Sequence, residues 1–166
     1  MHTFEKDIRS VPNFPKEGII FKDITPLLQN RLKEVAEEMS KNINWSEIDY
    51  VVGIEARGFI LGTAIAMLNG KGFIPMRKKG KLPPPVIAET YSLEYGTDTL
   101  EMILENRPGR VVLVDDVLAT GGTLKAGAKL CEKNNLEVKA MALLINLTFL
   151  NKFKEEGYPV FSVLEY

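Results

Sequence analysis

Val111-Val112-Leu113-Val114-Asp115-Asp116-Val117-Leu118-Ala119-Thr120-Gly121-Gly122-Thr123 is the most informative stretch of the chain. Its apolar opening, Val111 to Val114, is rich in β-branched residues and predicts a strand buried on both faces. Two carboxylates follow at once. The small and hydroxyl-bearing residues after them predict a loop from Asp115 to Gly122 that opens a helix over about Thr123–Lys133. Gly121 and Gly122 allow backbone amides to come close to a ligand. Thr120 and Thr123 add hydroxyl donors, and a helix start adds partial positive charge suited to a phosphate. The loop holds no cation, so amides and hydroxyls from Ala119 to Thr123 must do the binding. Asp115 and Asp116 cannot hold a phosphate; they are placed to accept hydrogen bonds from sugar hydroxyls beside it. The stretch is neither a P-loop nor a dinucleotide-binding Gly-x-Gly-x-x-Gly. Either acid taken alone reads equally well as an ordinary helix cap.

The flanking sequence alternates strands and helices. Tyr50–Ile54 reads as a short buried strand, Glu55–Gly58 as a loop, Phe59–Leu68 as an apolar helix and Phe73–Met76 as another strand. Ile87–Leu93 and Thr99–Leu104 form the arms of a predicted hairpin around Tyr95-Gly96-Thr97. Met141–Ile145 and Val160–Leu164 complete the strands. Leu32, Val35, Ala36, Met39 and Ile43 recur at helical spacing, after a first 30 residues that Pro12, Pro15, Gly18 and Pro26 mark as irregular. The pattern predicts an α/β fold with a mainly parallel, twisted sheet and helices on both faces. Ligands of such sheets lie beyond the carboxyl ends of the strands, which draws attention to the turns at Glu55 and Asp115.

At 166 residues the chain fits one domain, with 45% apolar and 26% charged residues. A formal net charge of -1 gives no overall field towards nucleic acid or an anionic membrane, and neither is expected as a partner. Cys131 is the lone cysteine and His2 the lone histidine, which argues against zinc sites and His-based triads. No segment reads as a signal peptide, and no run approaches the roughly 18 apolar residues of a membrane span. A reducing, cytoplasmic location is expected.

Two further stretches carry positive charge. Gly53-Ile54-Glu55-Ala56-Arg57-Gly58-Phe59 repeats the strand–turn–helix grammar with an arginine in the turn. Taken alone, Arg57 reads either as a solvated loop residue or as a fork for phosphate oxygens. Arg77-Lys78-Lys79-Gly80-Lys81 reads alone as a solubilising loop or a nonspecific nucleic-acid patch; its place after a strand favours a small polyanion.

The stretch from Val111 to Thr123 resembles the signature of type I phosphoribosyltransferases, which bind 5-phosphoribosyl-1-diphosphate (PRPP). The resemblance implies that Asp115 and Asp116 take the ribose hydroxyls and that Ala119, Thr120, Gly121, Gly122 and Thr123 take the 5-phosphate. Glu55, Ala56 and Arg57 resemble that family's pyrophosphate loop, whose backbone often holds a cis peptide. Arg77, Lys78 and Lys81 would then help to hold pyrophosphate. Pro12–Leu28 is similar to the hood of the adenine-using branch, within a hood segment of residues 1–30. There Phe21 would stack on the purine while the backbone of Ile20 and Lys22 reads its edge. Phe21 alone reads as a core residue, and Lys22 stands where many relatives carry arginine. Glu89–Thr97 is similar to the branch's flexible catalytic loop, within a lid of residues 83–104. Glu94 would be its catalytic acid, although alone it reads as an exposed hairpin residue. The implied reaction joins adenine to PRPP, giving AMP and pyrophosphate, with magnesium delivered by PRPP rather than caged by protein, in a homodimer. Another base (hypoxanthine, guanine, xanthine or orotate), or a non-catalytic PRPP-fold regulator, is the alternative reading.

Overall fold

In the computed structural model the structure describes residues 3–93, 96–153 and 157–166. After a short 3-10 turn at Thr3–Asp7 comes a two-stranded antiparallel ribbon, β1 (Arg9–Pro12) against β2 (Ile20–Asp23), which leads into α1 (Thr25–Ser40). The main body runs β3 (Tyr50–Ile54), α2 (Arg57–Leu68), β4 (Gly72–Lys78), β5 (Val86–Leu93), β6 (Gly96–Ile103), β7 (Gly109–Leu118), α3 (Gly122–Lys133), β8 (Leu136–Asn146) and β9 (Val160–Glu165). Seven strands form one sheet in the order β5-β6-β4-β3-β7-β8-β9. The β4-β3-β7-β8-β9 pairs are all parallel, while β6 joins β4 and β5 antiparallel.

The alternation of side chains along the central strands explains why helices cover both faces. Val112 and Val114 pack with Ala142 and Leu144 against Leu27, Val35 and Met39 of α1 and Leu61 and Ile65 of α2. Val111 and Leu113 pack with Met141 and Leu143 against Leu124, Ala128 and Leu130 of α3 on the other side. Each fully buried Val, Leu, Ile or Met among them contributes about 1.5–3 kcal/mol relative to exposure. Cys131 belongs to the α3 face, and burial pushes its thiol up to about 12, so it is a packing residue and not a nucleophile.

Residues 3–30 are more regular than the sequence suggests. They contain the ribbon and the opening of α1, whose early Pro26 sits where proline suits a helix start. The helix stops at Ser40, so Ile43 packs on the core from beyond it. β7 extends through Asp115 and Asp116 to Leu118, which shortens the predicted loop to Ala119–Gly121. β4 likewise runs on through Arg77 and Lys78.

Candidate active site

β3 and β7 lie side by side, yet β3 continues through α2 to β4 on one flank and β7 through α3 to β8 on the other. This is the topological switch point at which an open α/β sheet forms a crevice. The β3–β7 pairing ends at Gly53–Val114, whereas β7 stays paired with β8 as far as Leu118. Asp115 and Asp116 therefore stand on a stretch of strand with no β3 neighbour, on the wall of the crevice.

Both acids are buried, at 8% and 7% exposure, and do not sit in the exposed loop predicted for them. Burial pushes the Asp115 carboxyl well above the usual range, and the neighbouring Asp116 charge adds to the effect. Asp115 Oδ1 accepts the Asp116 amide at 2.9 Å. Arg57, the first residue of α2, brings Nη2 within 2.6 Å of Asp116 Oδ2. The contact is an ion pair out of hydrogen-bond alignment, so that buried oxygen has no hydrogen-bond donor among the described residues. The Arg57 guanidinium also lies 4.9 Å over the Phe21 ring. Gly58 allows α2 to start this close, since a Cβ there would lie 2.9 Å from Val114 O and 3.1 Å from Asp115 Oδ1.

The turn before α2 holds the second charged group. The Glu55–Ala56 peptide is cis. The Glu55 carboxylate pairs with Arg77 at 3.0 Å and Lys81 at 3.3 Å and accepts the Lys78 backbone amide. Burial pushes this carboxyl up, but the Lys78 amide, Arg77 and Lys81 outweigh it and hold it below the usual carboxylate range. The basic cluster is split by strand geometry. Arg77 faces α2, with its guanidinium 5.8 Å from the Phe59 ring, whereas the Lys78 ammonium reaches Tyr91 and Asp98 of the β5–β6 hairpin.

Beyond β7, Gly121 adopts φ +89°, and a Cβ there would lie 2.4 Å from the Phe153 ring, so only glycine fits. No side chain caps the start of α3, leaving its first amides directed into the loop. Asn151 braces the loop by donating to Ala119 O at 2.8 Å. The hairpin overlies this helix start, with Ser92 O 3.2 Å from where a Cβ of Gly122 would stand.

The ribbon closes the crevice from the remaining side. Phe21 is half-buried and meets Phe14 edge-on, their centroids 5.2 Å apart, while Ile20 is exposed. The Lys22 ammonium turns away, 4.1 Å over the Tyr166 ring and 3.1 Å from Ser10 Oγ. Asp23 ties the ribbon to α1 by pairing with Arg9 at 2.6 Å and accepting the Thr25 amide at 2.9 Å.

The family model of the phosphoribosyl transferase domain matches residues 23–158. An adenine phosphoribosyltransferase of Bdellovibrio bacteriovorus is 50% identical over 163 residues, covering 96% of each chain. The chain belongs to the phosphoribosyltransferases. Among solved structures, the adenine phosphoribosyltransferase of Thermoanaerobacter pseudethanolicus superposes with a TM-score of 0.93 at 42% identity, covering 98% of each chain. That of Saccharomyces cerevisiae, solved with an imino-altritol bisphosphate and adenine, gives 0.84 at 35% identity, over 96% of this chain and 95% of that one.

Within this phosphoribosyltransferase the crevice gathers Phe21, Arg57, Asp115 and Asp116, and the neighbouring turn gathers Glu55, Arg77 and Lys81. The side chains of Lys22 and Lys78 turn elsewhere, and Glu94 lies outside the described residues. Asn151, Phe153, Tyr91 and Asp98 were missed in the sequence. Nothing in their spacing marks them, because each reaches its partner through long-range packing or strand register.

Proposed function

We propose that the protein transfers the 5-phosphoribosyl group of PRPP to adenine, giving AMP and pyrophosphate in purine salvage. The observation that carries the reading is the crevice itself, where a buried pair of carboxylates stands between an uncapped helix start and an arginine stacked on an aromatic ring. The relatives that match this chain over nearly its whole length are adenine phosphoribosyltransferases, and the yeast structure holds adenine.

The amides and hydroxyls of Ala119–Thr123 would bind the 5-phosphate, and Asp115 and Asp116 the ribose hydroxyls. The C1–diphosphate bond breaks as N9 of adenine attacks C1, with inversion. The two carboxylates then face the positive charge that develops on the ribose. Arg57, Arg77 and Lys81, with the amides of the Glu55–Ala56 turn and the Lys78 ammonium, would receive the departing diphosphate. Phe21 would carry the purine face and the backbone of Ile20 and Lys22 its edge; β2 has a strand partner on only one side. Glu94 would orient or accept the N9 proton.

Magnesium would arrive with PRPP and neutralise the diphosphate. Among the described residues no cluster of three or more Asp, Glu, His or Cys gathers, so the donor set suits a cation bound mainly by substrate oxygens and water. No helix of the described residues is long and apolar enough to cross a membrane. We place the enzyme in the cytoplasm as a homodimer of single-domain subunits, with residues 1–30 as hood and 83–104 as lid. Absorbance during turnover with PRPP and each purine in turn tests the reading, and turnover with adenine is expected.

Arg57→Ala is expected to weaken pyrophosphate binding roughly tenfold or more, the loss of charge-assisted hydrogen bonds worth about 1.5–3 kcal/mol. Calorimetric titration with pyrophosphate decides, and an unchanged affinity removes Arg57 from the diphosphate site. Limited proteolysis is expected to cut first within residues 83–104, and PRPP is expected to protect them, because a lid must open to admit a base. Equal cleavage with and without PRPP would count against gating.

A further inference from the structure

Lys78 has two claims on its single ammonium. Its backbone lies beside the diphosphate turn, where its amide is held by Glu55, but its side chain leaves that turn for the hairpin. There it donates to Tyr91 Oη at 2.8 Å, pairs with Asp98, and lies 5.4 Å over the Tyr91 ring. Tyr91 and Asp98 are direct cross-strand partners of β5 and β6, so the clamp is built into the hairpin register. It also sits close to the β5–β6 turn, the end of the hairpin assigned above to closure over the site. Tyr91 is buried, at 8% exposure, within the core on the α3 face, and its ring also approaches the start of α3 at Gly122. Asp98 Oδ1 is fixed by the Thr99 amide at 2.8 Å, leaving Oδ2 for Lys78. Arg77 and Lys81 rest instead on Glu55 within the turn.

We infer that Asp98, with Tyr91, is a positioning residue that holds Lys78 on the lid while the diphosphate site is empty, so that lid and pyrophosphate compete for one ammonium. The inference rests on the proposed diphosphate role of the turn. When a diphosphate enters, Lys78 swings from Asp98 to a phosphate oxygen; the β4–β6 backbone pairing at Arg77–Glu101 and Lys78–Leu100 stays, while the end of the hairpin near Tyr91 and Asp98 loses this side-chain hold and is free to close over the ligand. When pyrophosphate leaves, Asp98 takes the ammonium back. Asp98 thereby sets how much of the Lys78 interaction is available to the ligand, and it ties the lid position to occupancy of the site. Mutual stabilisation of the charges fits this exchange. Burial opposes both, yet Asp98 and Tyr91 keep the Lys78 ammonium above its ordinary value, and Lys78 with the Thr99 amide keeps Asp98 below its own.

The test is calorimetric titration of the full-length protein with magnesium pyrophosphate, alongside proteolysis of the hairpin. Asp98→Asn is expected to bind pyrophosphate roughly two- to fivefold more tightly than the parent, the scale of an ion pair about a third exposed. It is also expected to be cut faster in the hairpin when free. Introducing Asp98→Asn into Lys78→Met is expected to change nothing, because the contested group is gone. Tyr91→Phe, which keeps the ring and removes only the hydroxyl, is a second route to a smaller gain should the Asp98 variant fold poorly. A folded Asp98→Asn with unchanged or weaker pyrophosphate affinity overturns the competition, as does a gain that persists in the Lys78→Met background. A parent protein that binds no pyrophosphate at all overturns the proposed function instead, so the two failures are distinguishable.

Discussion

Asp115→Asn combined with Asp116→Asn is expected to lower the rate of AMP formation by roughly a hundredfold or more, about 3 kcal/mol of transition-state stabilisation. The change is nearly isosteric and removes the negative charge facing the ribose. The fold is expected to survive it, for a reason that burial supplies. Burial raises the Asp115 pKa in the folded protein, so the native state favours the neutral carboxyl. Stability linked to such a group is fully present below the unfolded pKa and is lost as pH rises through the folded one. The ionised form is the one that burial disfavours, and a neutral amide carries no such cost. Asparagine keeps the oxygen that accepts the Asp116 amide. Loss of the Arg57–Asp116 pair costs no more than about 1 kcal/mol, because Arg57 is a third exposed. The melting midpoint of the double variant should therefore stay within about 4 °C of the parent. Thermal unfolding and initial rates with saturating adenine check both halves, and near-parental activity in a folded variant would remove these acids from the reaction.

Adenine is expected to exceed hypoxanthine and guanine in catalytic efficiency by about 10⁴, the discrimination that mismatched buried polar groups can support. Stacking cannot supply it, because every purine presents a similar face to Phe21. The choice must come from the edge. Adenine offers an amino donor and the N1 acceptor where hypoxanthine offers an oxygen acceptor and an N1–H donor. A fixed carbonyl and amide of β2 that match the first pattern would meet like groups in the second. Phe21→Ala should weaken all purines together by about 1–3 kcal/mol while the ratio between them stands. Lys22→Ala should also keep the ratio, because the Lys22 ammonium is engaged with Tyr166 and Ser10. Efficiencies for the three purines on parent and variants decide, and equal use of hypoxanthine and adenine would remove the edge reading.

Periodicity made the central sheet legible. Val111–Val114 and Met141–Ile145 are apolar on both faces, and each lies in a strand covered by helices on both sides. Composition hid the strand ends. Asp115-Asp116 and Arg77-Lys78 interrupt the apolar pattern, so that pattern ends before β7 and β4 do. The two acids are tolerated in strand because Asp116 meets Arg57 and neither has a β3 neighbour. Strand geometry then decided what spacing could not, sending Arg77 to one face and Lys78 to the other. Proline and glycine mark both turns and edge strands, so the sequence of the ribbon reads as irregular. Its place in the fold comes from the Arg9–Asp23 pair and from Asp23 holding the Thr25 amide.

The most direct test of the central claim is the stoichiometry of the reaction in one vessel. Purified protein, PRPP, adenine and magnesium are combined, and AMP and pyrophosphate are quantified together over time. The two products are expected to appear one for one, at a rate that collapses in the Asp115→Asn, Asp116→Asn variant. Pyrophosphate without AMP, or no product from any purine, would contradict it.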